Sequence, residues 1–197
     1  MKDRIEILVS GFGGQGVVRL GQIVGTAAVN QGFRVTMLKS HGTEQRGGYV
    51  RTQVVLSKEE IDSPLVEDPD YFCSFSSAAY QQFGHMMKDG VVLYDPAMVE
   101  IDEDKPFRQV AVPAKDTAID KLGRPIYANI IMLGALTKAA EEVLDKENML
   151  ETMLSIIPKF LDDNRNAFEM GSAMVAGANS VSRFVANPSN HKILFTA

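Results

Sequence analysis

The sequence predicts one α/β domain, a mostly parallel sheet flanked by helices with a helical C-terminal part, and three observations carry that reading. Ile5 to Val9 is a short Ile/Val-rich run of the kind that makes a buried parallel strand, and it stops at four glycines within positions 11–16. Further short apolar runs follow at Arg34–Leu38, Tyr49–Ser57, Tyr71–Phe75, Val91–Tyr94 and Phe107–Val112, an alternation expected of a sheet covered by helices. From about Asp116 the apolar residues recur at helical spacing. Strand, glycine turn and helix in that order make the fold Rossmann-like. Residues 1–186 are read as this domain and residues 187–197 as a C-terminal tail.

The first element sets the chemistry. Gly11, Gly13 and Gly16 fit G-x-G-x-x-G, and Val17, Leu20, Val24, Ala27 and Ala28 follow at helical spacing. Glycine has no Cβ, so the backbone can take positive φ and approach a ligand, while the first free N–H groups of the helix attract an anion. Gly11, Gly13 and Gly14 are expected to form an exposed, ligand-facing turn. Gly16 is expected to let the helix pack closely on the sheet, as are Gly21 and Gly25 one turn apart. Asn30-Gln31-Gly32 ends the helix with a glycine in the C-cap region.

The second strand, Arg34 to Leu38, bears on which ligand. A nicotinamide dinucleotide site wants an acid about 20 residues past the glycines, at the end of that strand, to hold the ribose. This chain has Lys39-Ser40-His41-Gly42 there, and Lys39 suits only a 2′-phosphate. A stand-alone NAD(P)-dependent oxidoreductase or nucleotide-binding module is therefore the second reading. Ser40 to Gly48 then lacks apolar periodicity and holds Gly42, Glu44, Arg46, Gly47 and Gly48. Arg46 offers a planar fork for a carboxylate or phosphate, and Gly47-Gly48 lets backbone approach what it grips. This loop leaves the carboxyl end of the second strand, close to the glycine turn, where open α/β sheets place ligands. The plainer alternative is a hairpin-like surface connection with solvated charges.

Tyr49 to Ser57 alternates as a strand does, and Asp62-Ser63-Pro64 and Asp68-Pro69-Asp70 punctuate the loop behind it. Ser76-Ser77 can cap a brief helix through Phe83, and Lys88-Asp89-Gly90 turns into Val91. Asn129 stands ahead of Ile130, Leu133, Leu136, Ala140 and Val143, so its side chain is expected to cap that helix. Met149, Leu150, Met153, Leu154 and Ile157 make the next amphipathic stretch, ended by Pro158, and Asp162 or Asp163 is placed to cap a last helix carrying Ala167, Phe168, Met174 and Val175. The ten methionines read as core filler. Asn187 to Ala197 is expected to be loosely held or laid on a partner.

Composition narrows the function. At 197 residues the chain suits one domain with a substantial core. A net charge of −5 gives no support for nucleic-acid or membrane-surface binding, and no apolar run is long enough to span a bilayer, so a cytoplasmic location is expected. Cys73 is the only cysteine, which excludes an iron–sulfur cluster or a cysteine-based zinc site built by this chain alone. It lies in Tyr71-Phe72-Cys73-Ser74-Phe75 and reads as an inert core thiol.

Taken together, Ser10-Gly11-Phe12-Gly13-Gly14-Gln15-Gly16-Val17-Val18, Ser40 to Gly48, Ile61-Asp62-Ser63-Pro64 and Asn129 to Leu136 resemble the gamma subunit of 2-oxoacid:ferredoxin (acceptor) oxidoreductases. That family includes 2-oxoglutarate, pyruvate, ketoisovalerate and indolepyruvate types, and the resemblance runs from Ile5 to about Gly171. It implies a complex that oxidatively decarboxylates a 2-oxoacid on thiamine diphosphate with magnesium, passes the acyl group to coenzyme A (CoA), and sends electrons through [4Fe-4S] clusters to ferredoxin or another acceptor. No Gly-Asp-Gly with a downstream Asn-Asn pair is present, so those cofactors are expected on alpha, beta and delta (ferredoxin-like) partner subunits, none being held by this chain alone, and the chain is expected to be inactive by itself. Pairing with a second copy is left open. By position, Gly11, Gly13, Gly14, Gln15, Gly16, Gly42, Glu44, Arg46, Gly47, Gly48 and Asn129 are the implied cofactor-binding residues, with CoA the ligand they would help hold. Ser40-His41-Gly42 stands where many oxoglutarate-type members carry Ser-Tyr-Gly, and Gln45-Arg46 is similar to indolepyruvate-type members; 2-oxoglutarate is the expected substrate.

Overall fold

The computed structural model describes residues 2–41 and 49–182. Its elements are β1 (Arg4–Phe12), α1 (Val17–Asn30), β2 (Arg34–His41), β3 (Tyr49–Ser57), β4 (Tyr71–Ser74), α2 (Ser77–Phe83), β5 (Val91–Tyr94), β6 (Arg108–Ala111), α3 (Ala114–Leu122), α4 (Ala128–Ala139), α5 (Lys146–Ile156) and α6 (Leu161–Ser182). The six strands form one sheet in the order β2-β3-β1-β4-β5-β6. β3 pairs antiparallel with both β1 and β2, whereas β1, β4, β5 and β6 pair in parallel, so β3 alone runs against the other five strands. The expected mostly parallel sheet is present, with one reversed strand set between the first two.

That insertion has a geometric consequence. In a dinucleotide fold the second strand lies beside the first, which brings its terminal acid to the glycine turn. Here β3 occupies that place, so β2 lies two strand spacings from β1, about 10 Å rather than about 5 Å. Both the missing acid and the strand order disfavour the dinucleotide reading. β2 also runs past the predicted Leu38 to His41, because its ladder to β3 continues through Ser40↔Arg51 and His41↔Val50.

The sheet's two faces are covered unequally. On one, Ile7, Val9, Val54, Leu56 and Leu93 pack against α1, α4, α5 and α6. α4 is apolar almost all round, Ile130 to Thr137 being buried, as a helix inside a core must be. α4 and α6 touch backbone to backbone: a Cβ on Gly134 would lie 1.9 Å from the Phe168 carbonyl oxygen, and one on Gly171 would lie 1.8 Å from that of Ile131. α1 comes as close to the sheet, since a Cβ on Gly21 would meet Thr52 at 2.2 Å. On the other face Leu8, Val55, Phe72 and Val92 meet Tyr80 and Phe83 of short α2, whose cap is the expected Ser76, accepting from Ala79 N–H at 3.2 Å. Cys73 is fully buried, and burial pushes its thiol well above the ordinary value, which fits an inert thiol.

Two caps differ from expectation. Pro125–Tyr127 forms a 3₁₀ turn that runs straight into α4, so helical backbone begins at Ala128; Asn129 lies inside the first turn and caps nothing. α6 likewise starts at Leu161, with Asn164 N–H bonded to the Phe160 carbonyl, so Asp162 and Asp163 are first-turn residues rather than caps. Asp163 instead accepts from the Tyr127 hydroxyl at 2.8 Å. α5 is capped by Asp145, which accepts from Asn148 N–H.

The sheet's amino end is closed by its own side chains. Glu6, 7% exposed, accepts from the N–H groups of Glu67 and Asp68 at 2.6 and 2.9 Å and from Arg4 Nε at 2.7 Å. Arg4 donates onward to the carbonyls of Ser63 and Leu65, and Asp70 accepts from Glu6 N–H. The Ile61-Asp62-Ser63-Pro64 motif thus sits in a loop pinned at the end opposite the glycine turn. Among the described residues, no helix is long and apolar enough to cross a membrane.

Candidate functional site

The carboxyl ends of the five aligned strands form one rim, and the glycine turn stands on it. Gly11 is the correction here: it is still within β1 and buried, and a Cβ on it would meet Gln15 at 2.4 Å and Phe75 at 2.6 Å. Close packing, not ligand approach, requires glycine at that position. Gly13 and Gly14 are exposed with nothing near the place of a Cβ, and Gly14 has φ 90°. Their N–H groups meet no acceptor among the described residues.

Gln15 holds this turn open. Its Oε1 accepts from Phe12 N–H at 2.6 Å and its Nε2 donates to the Phe75 carbonyl at 3.0 Å, tying the turn to the end of β4. Gly16, at φ 80°, caps α1 without a side-chain hydrogen bond, and no acid stands in the helix's first turn. Arg19 does stand there, a cation where the helix end already carries partial positive charge. The site therefore favours an anion twice over.

Asn129 is brought to the same place from α4. A Cβ on Gly16 would fall 2.1 Å from Asn129 Nδ2, so Gly16 is glycine for close approach as well as for its left-handed backbone. The Asn129 Oδ1 is buried with no hydrogen-bond partner among the described residues. A buried polar atom left without a partner costs about 1–3 kcal/mol; Thr36, Arg51 and Thr52 also carry one, but of these four residues Asn129 is the one that lines a cleft. Sequence reasoning selected Asn129 as a helix cap and by resemblance; only the tertiary packing shows its carboxamide against the glycine turn.

Two clefts open on either side of this contact. The larger, about 690 Å³, lies between the start of α4 and the α5–α6 connection, and Arg19, Arg124 and Lys159 are its charged residues, with Ile126, Ile157 and Phe160 among its apolar ones. The smaller, about 440 Å³, is lined by Gln15, Phe75, Asp95, Met98 and Lys115. Gly14, Ile126 and Asn129 belong to both. Asp95, at the end of β5, accepts from Lys115 N–H at 2.7 Å and Ala97 N–H at 3.0 Å; burial pushes its carboxyl up, and those two bonds pull against the shift. None of Arg19, Arg124, Lys159, Asp95 or Lys115 stood out in the sequence, since each lies on a different element and no short-range pattern links them.

Gly42, Glu44, Arg46, Gly47 and Gly48 lie outside the described residues, as does the tail Asn187 to Ala197. The strands on either side are informative: Phe12 pairs with Tyr49 and His41 with Val50, so the flanking residues His41 and Tyr49 are at the rim that carries the glycine turn. Among the described residues no group of three or more His, Cys, Asp or Glu could hold a metal ion.

The chain is similar to known proteins in both sequence and fold. Residues 6–174 match the model of the family described as pyruvate ferredoxin/flavodoxin oxidoreductase. The chain belongs to that family. A relative, the 2-oxoglutarate synthase subunit KorC of Methanocaldococcus jannaschii, is 38% identical over 87% of this chain and 94% of its own length. The solved gamma subunit of a keto/oxoacid ferredoxin oxidoreductase from Geobacter sulfurreducens superposes with a TM-score of 0.77 at 31% identity, over 88% of this chain and 99% of that one. A 2-oxoglutarate:ferredoxin oxidoreductase from Magnetococcus marinus, solved with 2-oxoglutarate, coenzyme A and succinyl-CoA bound, gives a TM-score of 0.81 at 27% identity. It covers 90% of this chain, which corresponds to 32% of that larger one.

Proposed function

We propose that this chain is the gamma-type subunit of a 2-oxoacid:ferredoxin oxidoreductase acting on 2-oxoglutarate, and that its glycine turn binds CoA beside partner subunits carrying thiamine diphosphate and the iron–sulfur clusters. The observation that carries the site is the open anion position: the free N–H groups of Gly13 and Gly14 and the α1 N-terminus without a side-chain cap, with Arg19 in its first turn. The names of the 2-oxoglutarate relatives support the substrate. Diphosphate suits such amides, whereas the described residues do not fit a cluster or a magnesium–diphosphate site, since the single thiol is buried and no acidic group is assembled. Thiamine would supply the decarboxylation chemistry from a partner. This chain's residues would bind and orient the thiol-bearing coenzyme and exclude water from that wall of the site.

Gly13 offers a clean test, because a side chain there meets open space. In the reconstituted complex Gly13→Asp should raise the KM for CoA about tenfold or more by placing a carboxylate among the phosphates, while Gly13→Ala should change it little. An unchanged KM in Gly13→Asp would overturn the assignment. The chain purified alone should show no 2-oxoacid oxidation, and activity without partners would refute its subunit role.

A further inference from the structure

The two clefts differ in charge, and that difference orients the ligand. Of the charged residues lining the larger cleft, all three are cations, Arg19, Arg124 and Lys159, in a chain whose net charge is −5. None of the three forms an ion pair with a carboxylate among the described residues. The smaller cleft balances Lys115 against Asp95. Arg124 is held in place by stacking over the Phe160 ring at 5.0 Å, which preorganises its planar fork. Phe160 itself sits at φ 55°, a conformation bulky residues seldom adopt, and the residue is 58% exposed where it lines the cleft. A strained aromatic that braces a cation over an apolar-walled cleft fits a flat, anionic ligand.

Resting on the CoA reading above, we propose that the larger cleft takes the 3′-phosphoadenosine half of the coenzyme, with Arg124 and Lys159 reading the 3′-phosphate. The diphosphate then lies on the Gly13-Gly14 amides, and the uncharged pantetheine arm leaves past Asn129 through the smaller cleft. Asn129 Oδ1 suits that arm, whose amide N–H groups can supply the donor it lacks, whereas a phosphate cannot.

The test compares CoA with dephospho-CoA, which differs only in lacking the 3′-phosphate, in the reconstituted complex. The wild type should prefer CoA in kcat/KM. Arg124→Gln and Lys159→Gln should each lower that preference about tenfold, the effect of losing one charge-assisted hydrogen bond. Gly13→Asp should impair both coenzymes and leave the preference standing. A wild type indifferent to the 3′-phosphate, or variants that lose both coenzymes equally or neither, would overturn the orientation. If Gly13→Asp still acts in that case, the glycine-turn site survives; if it too is inert, both proposals fall.

Discussion

The two ends of the sheet treat polar groups in opposite ways. At the amino end Glu6 accepts three hydrogen bonds, Arg4 is spent on Glu6 and two carbonyls, and residues 58–70 are fastened down. At the carboxyl end two glycine amides, an uncapped helix start and a buried carboxamide oxygen have no partner among the described residues. Both ends are built from the same strands, so fold alone does not explain the contrast. The amino end closes its hydrogen bonds on the chain itself, whereas the carboxyl end leaves these groups open.

Substitutions can break or sharpen this contrast. The largest effect belongs to the closed end: Glu6→Ala strands two backbone N–H groups and Arg4, and should lower stability by about 3 kcal/mol in urea unfolding while leaving the KM for CoA of the assembled complex unchanged. A shifted KM would mean that the ends are coupled. Gly16→Ala should cost about 2 kcal/mol, from positive φ and collision with Asn129, and should also impair coenzyme use, since it deforms the open end. Asn129→Ala should alter stability by less than about 1 kcal/mol, because no hydrogen bond within the described chain is lost, yet raise the KM for CoA several-fold. Equal damage to stability and KM would assign Asn129 to the scaffold.

The smallest effect is one of pH. Burial raises the Asp95 carboxyl above its ordinary value, so its contribution favours the folded state most below about pH 4 and declines as pH rises through the raised value. Asp95→Asn should remove that decline, so the difference in unfolding free energy between variant and wild type should shift toward the variant with rising pH. A difference constant with pH would show that the two amide bonds cancel the burial.

The order of elements was readable because each rests on local pattern: the Ile5–Val9 run, the glycine block, the Ser76 cap and the continuous apolar face of α4. The two strands that flank residues 42–48 were also readable, and they pair with each other up to His41↔Val50. What the sequence did not display is lateral. Nothing in Tyr49–Ser57 says that the strand wedges between its predecessors, since register and neighbour are decided by long-range pairing. Gly11 and Gly16 looked alike in the motif, but one is crowded by Gln15 and Phe75 and the other by Asn129. Arg124 and Lys159 line one cleft only because the α5–α6 connection folds back over the start of α4.

The crossing of α4 and α6 at Gly134 and Gly171 ties this site to the interior. The helix that presents Asn129 and the helix that begins behind Phe160 touch main chain to main chain at two points. The larger cleft is thus walled by two helices that meet backbone to backbone deeper in the core. A methyl group added at either glycine would meet backbone and force the two helices apart, and the walls of that cleft with them.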